Sequence, residues 1–319
     1  MRKVVNLTTM APEPSYESAV ITALPDVEYI SKAVKTEEEI VELCCDAEVI
    51  FFTATKFTRS LLEKLPRLKL LVRYGIGYDN VDTQAAKELG IYVCNSPKYG
   101  VTDVAEHTVM LIFATAKRAI EMSDRIRGNN WSGRGLGKAF RLAGKTIGFL
   151  GFGNIGRAVC KRTNACEMTP IVYDPYVSDE VIAEYGAVRV TMDELLCSAD
   201  IISCHLPLND KTFHTLGREQ FEKMKKTAVL INTSRGGIIN ESELIDALEA
   251  GEIAGVGLDV FEDESGGMDK RLTNVPLAIL TPHVAGNTPE AMSDLHREVA
   301  DNAVRYLKGE RPENIVNGL

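Results

Sequence analysis

The sequence predicts an α/β protein built from two doubly wound parallel-sheet domains, one inserted into the other. Three observations carry this. Short β-branched runs alternate with amphipathic helical stretches from one end of the chain to the other, the pattern of parallel strands joined by helical crossovers. A glycine-rich strand–turn–helix signature, Gly151-Phe152-Gly153-Asn154-Ile155-Gly156, stands near the middle of the chain, so a separate α/β unit precedes it. The length, 319 residues, is about twice that of a typical domain of roughly 150 residues.

In the first unit, strands are expected over 3–9, 27–31, 48–52, 69–73 and 91–94, and helices over 16–24, 37–45, 58–65 and 83–89. Thr36 with Glu39 forms a capping-box pair for the second of these helices. Asn95-Ser96-Pro97-Lys98-Tyr99-Gly100 is punctuation. One long helical pattern, 102–127, follows it and could bridge two domains. The glycine-rich stretch 128–137 reads as an exposed loop and carries the only tryptophan, Trp131. The second unit should place strands at 146–150, 170–173, 201–204, 228–231, 253–258 and 277–280, and helices at 154–164, 179–185, 192–197, 218–223 and 241–249. Thr191 with Glu194 and Asn240 with Glu243 are cap pairs. Thr288-Pro289 opens a last helix to about Leu307, with proline in the first turn where its missing N–H is harmless. The expected domains are 1–98 plus 290–319, and 99–289.

Composition excludes several classes of function. A hydrophobic share of 45% and a charged share of 25% are those of an ordinary globular protein rather than a disordered or membrane chain. The formal charge of −9 repels polyanions, and no basic stripe offsets it, so no nucleic-acid partner is expected. No apolar run approaches the length needed to cross a bilayer, and Met1-Arg2-Lys3-Val4-Val5-Asn6 opens no signal-peptide core, so no membrane partner is expected either. The seven cysteines, at 44, 45, 94, 160, 166, 197 and 204, include no CxxC pair and no zinc-type histidine spacing. Most of them read as small buried hydrophobes in a reducing compartment. A cytoplasmic location and no bound metal are the expectations.

The fingerprint gains its force from context. It closes an apolar strand, opens a helix, and is followed by Val172-Tyr173-Asp174, an acid at the end of the next strand. Gly151 permits the tight turn, Gly153 lets the backbone approach a pyrophosphate, and Gly156 packs helix on strand. The amides of Asn154 and Ile155 open the helix toward the phosphates. Asp174 would accept hydrogen bonds from the adenosine ribose and repel a 2′-phosphate, so NAD is expected over NADP. This is the signature of a Rossmann-like domain, and the preceding unit, Rossmann-like in its pattern too, is the expected substrate domain.

With that fingerprint in place, the chain resembles the D-isomer-specific 2-hydroxyacid dehydrogenases, which include phosphoglycerate dehydrogenases and glyoxylate or hydroxypyruvate reductases. The resemblance spans nearly the whole chain. It rests further on Val72-Arg73-Tyr74-Gly75-Ile76-Gly77-Tyr78-Asp79-Asn80-Val81-Asp82, Asn232-Thr233-Ser234-Arg235-Gly236-Gly237, Gly257-Leu258-Asp259-Val260-Phe261-Glu262 and Thr281-Pro282-His283. It implies an NAD-dependent oxidoreductase acting on a small 2-hydroxy or 2-oxo acid, with Arg235, Glu264 and His283 as catalytic residues. An arginine at a strand end can hold a carboxylate in a bidentate fork. An imidazole can move a proton in both directions near neutral pH, and a neighbouring glutamate orients it and favours its charged form. Glutamate at 264 argues against the formate dehydrogenases, in which glutamine partners the histidine. The following Ser265-Gly266-Gly267-Met268 departs from the family's usual Glu-Pro and proline-rich turn.

By the same resemblance, Tyr74, Gly75, Ile76 and Gly77 grip the substrate carboxylate through backbone amides freed by the glycines. Arg73 either binds a second anionic group, as in the phosphoglycerate dehydrogenases, or pairs with a surface acid. His205, Pro207 and Thr212 line the adenine side, although His205 taken alone would more often be an ordinary buried histidine. Thr233 and Asp259 face the nicotinamide, and Val104 and Thr108 pack against the nicotinamide ring and pyrophosphate. The active site is expected in the cleft between the domains, closing over substrate. The long helix and the Trp131 loop resemble the family's dimerisation arm, so a homodimer is expected. Two alternatives share the pattern: a D-3-phosphoglycerate dehydrogenase of serine synthesis, favoured by Arg73, and an NAD(H)-sensing corepressor of the C-terminal-binding-protein type. The latter carry long flanking segments, which are not expected here, so this alternative is the less favoured.

Overall fold

The computed structural model describes residues 1–8, 15–135, 139–264, 266, 269–275 and 277–319. It divides into two compact units, residues 1–100 with 287–319 and residues 101–286.

In the first unit the described residues form β1 (Arg2–Asn6), α1 (Tyr16–Thr22), β2 (Val27–Ser31), α2 (Glu37–Cys44), β3 (Val49–Phe52), α3 (Arg59–Glu63), β4 (Leu70–Arg73), α4 (Thr83–Glu88) and β5 (Tyr92–Cys94). The strands pair in parallel in the order β2-β1-β3-β4-β5. The period-2 rule sorts their apolar residues between two cores. Val5, Ile50, Phe52 and Leu71 meet the helices α2 to α4 on one face. Val4, Val49, Phe51, Leu70 and Val72 meet Ile21 of α1 and Leu295, Val299 and Ala303 of the C-terminal helix, Pro289–Leu307, on the other. β1 stops at Asn6, short of the expected 3–9, because the Asn6 side chain turns the chain by accepting from the Thr8 amide at 3.0 Å. Thr9 itself lies outside the described residues.

A polar network is buried in this unit. The Glu17 carboxylate, wholly shielded from solvent, accepts from the Tyr74 hydroxyl at 2.6 Å and from His296 Nδ1. Tyr74 in turn accepts from Asn6 Nδ2 at 3.3 Å. Burial pushes the Glu17 pKa up, but the hydrogen bonds from His296 and Tyr74 outweigh it and hold the group below its ordinary value. A carboxylate depressed in this way contributes stability above its unfolded pKa, about 4.3, and that contribution is lost as pH falls through the lower folded value. Glu17→Gln should therefore destabilise the fold by about 1–3 kcal/mol near neutrality. The gap to wild type in thermal midpoint, followed by circular dichroism, should narrow below about pH 4; a gap constant from pH 7 to pH 3 would remove the charge as its source.

In the second unit the described residues form α5 (Val101–Lys117), α6 (Ala119–Arg127), β6 (Thr146–Leu150), α7 (Asn154–Asn164), β7 (Thr169–Tyr173), α8 (Asp179–Glu184) and β8 (Val188–Arg189). These are followed by α9 (Met192–Ser198), β9 (Ile201–Cys204), α10 (Arg218–Lys223), β10 (Val229–Asn232), α11 (Glu241–Glu249), β11 (Gly255–Leu258) and β12 (Ala278–Leu280). The sheet is parallel throughout, ordered β12-β11-β10-β9-β6-β7-β8. β9 and β10 are buried along their whole length, as central strands covered on both faces must be.

The single long helix expected over 102–127 is in fact two. Arg118 takes a left-handed conformation, φ 55°, between α5 and α6. Its guanidinium pairs with Glu121 at 2.5 Å and is itself buried. β8, only two residues long, was not anticipated, since a strand that short has no readable period. Of the expected loop 128–137, residues 136 and 137 lie outside the described residues.

Candidate active site

Five adjacent strands of the second sheet, β12, β11, β10, β9 and β6, deliver the candidate residues at their carboxyl ends. In sheet order these are His283, Asp259, Thr233 with Arg235, His205, and the glycine turn; Asp174 follows β7, the next strand along. At about 4.8 Å per strand, the row from β12 to β6 spans roughly 20 Å. β6 lies between β7 and β9, so the glycine turn stands where the strand order reverses, the usual ligand position in such sheets.

At the glycine turn, Gly151 adopts φ +86°, and a Cβ there would lie 2.7 Å from the His205 carbonyl oxygen. A Cβ at Gly156 would stand 2.9 Å from the Gly151 oxygen. Both positions thus require glycine for close approach. Gly153 differs: it caps α7 without a side-chain hydrogen bond, and nothing lies within 4 Å of where its Cβ would be. The open space over it and the amides of the first helical turn fit a pyrophosphate. The Asp174 carboxylate accepts from the Phe152 amide at 2.7 Å with one oxygen, and from Tyr176 and Val177 amides at 2.8 and 3.2 Å with the other. It ties the glycine turn to the loop after β7, and its negative charge is held there by backbone amides.

His205 packs beneath this turn rather than beside it. Its ring stacks on Phe149 and its Nε2 bonds with Ser203 Oγ at 2.9 Å. Burial pushes its pKa down to about 3, so the ring is neutral at physiological pH. Thr212 closes its own loop, donating to the Pro207 carbonyl at 2.6 Å and accepting from the Asn209 amide at 2.9 Å. Thr108 and Thr233 come together in the structure: the two buried hydroxyls lie 2.8 Å apart, and Thr108 donates to the Val104 carbonyl at 2.7 Å.

Arg235 is set by its neighbours. Buried Asn232 donates to the Arg235 carbonyl at 2.9 Å and accepts from the Ser234 amide and hydroxyl at 3.0 and 2.7 Å. The Arg235 Nη1 donates to the Ser234 carbonyl at 2.8 Å. A short 3-10 turn, Gly236–Ile238, follows, and a Cβ at Gly236 would fall 1.9 Å from the Phe261 oxygen, so the turn after β10 is wedged against the loop after β11.

The His283 ring donates from Nδ1 to Glu264 Oε2 at 2.7 Å. The two side chains are 49% and 41% exposed, and exposed pairs contribute little to stability. The consequence is local: with Nδ1 committed to the carboxylate, Nε2 is the nitrogen that can exchange a proton with a ligand. The departure from the family's proline-rich turn therefore does not keep Glu264 from His283, although Ser265, Gly267 and Met268 lie outside the described residues. His283 itself sits in the left-handed region, φ 52°. Asp259, fully buried, holds that turn with four hydrogen bonds.

In the first unit, the loop after β4 is equally well tied. Ser96 donates from its amide to the Gly75 carbonyl at 3.0 Å and from its hydroxyl to the Arg73 carbonyl at 3.2 Å. Asn95 Nδ2 donates to the Ile76 carbonyl at 2.7 Å. The Arg73 guanidinium folds over Gly75, where a Cβ would lie 1.9 Å from Nη1, and donates to the Tyr74 carbonyl at 3.1 Å. The Tyr74 phenol belongs to the Glu17 network, so only its backbone is placed for a ligand of this loop.

The family model described as "D-isomer specific 2-hydroxyacid dehydrogenase, NAD binding domain" matches residues 109–285. The chain belongs to that family. A D-3-phosphoglycerate dehydrogenase of Methanocaldococcus jannaschii is 39% identical over 311 residues, 97% of this chain and 59% of that protein. A glyoxylate reductase of Thermococcus litoralis is 38% identical over 278 residues, 85% of this chain and 83% of that one. Among solved structures, a D-lactate dehydrogenase of Aquifex aeolicus, complexed with NAD and lactic acid, is 31% identical and superposes with a TM-score of 0.86 over 97% of this chain and 96% of the other. This member of the dehydrogenase family thus spans 59% of its phosphoglycerate dehydrogenase relative and most of its reductase relative.

For a dehydrogenase of this family, two residues at the site escaped the sequence reading. Asn232 is the buried anchor of the Arg235 turn. His107, on α5, reaches Thr281 Oγ1 at 3.0 Å and Asp259 Oδ1 at 3.5 Å. Neither carried a signal: Asn232 read as part of the motif around Arg235, and His107 as one more residue in a helical pattern. No helix of the described residues is long and apolar enough to cross a membrane.

Proposed function

We propose that this chain is an NAD-dependent oxidoreductase that interconverts a small D-2-hydroxy acid and its 2-oxo acid, with Arg235, Glu264 and His283 as the catalytic set. The observation that carries the reading is the His283–Glu264 pair at 2.7 Å, on the same sheet edge as the Arg235 turn. The nucleotide would be held by Gly151, Gly153, Asn154, Ile155 and Gly156 at the pyrophosphate. Asp174 would take the adenosine ribose, and Val104, Thr108, Thr233 and Asp259 would line the nicotinamide side. His205, Pro207 and Thr212 shape the adenine side as the floor and closed loop beneath it.

When bound, the nicotinamide donates or accepts the hydride. The chain's own residues do the rest. Arg235 binds the substrate carboxylate and polarises the neighbouring carbonyl. His283, protonated at Nε2, gives its proton to the oxo oxygen during reduction and takes it back from the hydroxyl during oxidation. Glu264, at Nδ1, holds the ring in place and leaves Nε2 to face the substrate oxygen. In the first unit, which serves as the substrate domain, the backbone of 74–77 is suited to a carboxylate, and Arg73 adds positive charge beside it.

The protein is proposed to act as a homodimer in the cytoplasm, without nucleic-acid or membrane partners. Ile120, Met122 and Ile126 of α6 and Trp131 beyond it are exposed apolar residues along one segment, which supports an intersubunit contact. The seven cysteines are all free thiols, which suits a reducing compartment.

Oxidation of NADH, followed by absorbance with glyoxylate, hydroxypyruvate, pyruvate, 2-oxoisocaproate and 3-phosphohydroxypyruvate in turn, tests the reading. Turnover of an unphosphorylated acid supports it and names the substrate. Preference for the phosphorylated acid would favour the alternative, a D-3-phosphoglycerate dehydrogenase, and make Arg73 the phosphate contact. NADH binding with no turnover of any acid would sink the assignment and favour a nucleotide-sensing role.

A further inference from the structure

We infer that His107 is a positioning residue for the catalytic histidine, acting from α5 through Thr281 and Asp259 on the turn that carries His283. The inference rests on the functional reading above. The turn is held by one buried residue: Asp259 accepts from the Thr281 hydroxyl at 2.5 Å and the Val284 amide at 3.0 Å with Oδ1, from the Ala285 amide at 2.9 Å with Oδ2, and from the His283 amide at 2.8 Å with its carbonyl. Together these bonds engage residues 281, 283, 284 and 285, and so fix His283 in a left-handed conformation that L side chains seldom adopt.

His107 completes the arrangement. The Thr281 hydrogen is committed to Asp259, so the Thr281 oxygen must accept, and His107 must present Nε2–H to it at 3.0 Å. The same ring nitrogen lies 3.5 Å from Asp259 Oδ1, turning its positive edge toward a carboxylate that has only 1% of its side chain exposed. α5 is a firm platform for this contact, since its Leu111 and Ile112 are wholly buried. Without the imidazole, Thr281 could rotate toward the Leu258 carbonyl, already 3.5 Å from its Oγ1, and Asp259 would lose both a hydroxyl donor and a polar neighbour. The orientation of His283 would then be less well determined, and a catalytic acid that samples several orientations is slower than one that is held.

The test compares His107→Leu, His107→Gln and Thr281→Val in the full-length protein. Amide hydrogen exchange reads the clamp directly. In His107→Leu, exchange at Val284 and Ala285 should accelerate by about 10–100-fold, with β10 unchanged. With the best oxo acid, kcat should fall by about 10-fold or more while the dissociation constant of NADH stays within about 3-fold. His107→Gln keeps an N–H donor and should recover most of both effects, and Thr281→Val should reproduce the loss without touching the helix. In a His283→Ala background, His107→Leu should lower kcat no further. Exchange unchanged in His107→Leu would overturn the proposal, as would a kcat loss that persists in the His283→Ala background or that Gln does not relieve. If exchange accelerates but the wild-type protein turns over no oxo acid, the clamp stands and the proposed function falls.

Discussion

His283→Ala should lower turnover by about two to four orders of magnitude and leave NADH affinity within a few-fold of wild type. The separation follows from placement. His283 lies at the end of β12, four strands from the glycine turn after β6 that is proposed to hold the pyrophosphate. Its ring contact is with Glu264, at 2.7 Å, and its loss leaves the nucleotide end of the sheet untouched. On the proposed mechanism, what disappears is the proton that must reach the oxo oxygen as hydride reaches carbon; without it the developing alkoxide would have only solvent to draw on. Glu264→Gln should fall between wild type and His283→Ala, because the amide oxygen can still accept from the ring but makes a weaker bond than the carboxylate and so orients it less firmly. Measuring kcat in parallel with NADH fluorescence titration checks both halves. Turnover within 3-fold of wild type in His283→Ala would take this residue out of the mechanism and leave Arg235 without a proton donor beside it.

How much of this could be read without coordinates depended on whether the determinant was local. The strand β2, the helix α7 and the caps at Thr36, Thr191 and Thr288 fall where the sequence put them, because side-chain caps and apolar periods act within a few residues. The parallel order of both sheets followed from the alternation of strand and helix. The break at Arg118 was invisible, since Lys117-Arg118-Ala119 contains neither glycine nor proline; an ion pair to Glu121 in the next turn accompanies the left-handed residue. At the site, the motifs gave the glycine turn, the Arg235 turn and the His283 turn, yet not what holds them. Asn232 under Arg235 and His107 behind His283 work through contacts between elements far apart in the chain. The same holds for the buried Glu17, whose partners Tyr74 and His296 are remote from it in the chain.

Arg235 should give the other large effect, and its two substitutions should differ. Arg235→Ala removes the proposed carboxylate partner from a site whose backbone stays fixed by Asn232 and by the close packing of Gly236 on Phe261. An unpaired substrate carboxylate at such a position costs about 3–5 kcal/mol, so kcat/KM should fall by roughly 10² to 10³ or more. Arg235→Lys restores the charge but not the planar fork that matches a carboxylate with two parallel bonds. It should regain part of KM and little of kcat, because an ammonium can attract the acid without holding the carbonyl in line for reaction. NADH affinity should be unchanged in both. A loss of less than about 3-fold in Arg235→Ala, against the 10² or more expected of a truncated charge pair, would mean that the carboxylate is held elsewhere. The backbone amides of 74–77 are then the next group to test, by Gly75→Ala, where a Cβ would meet the Arg73 guanidinium at 1.9 Å and displace it. If lysine performed as well as arginine, charge alone would suffice, and the bidentate geometry would drop out of the account.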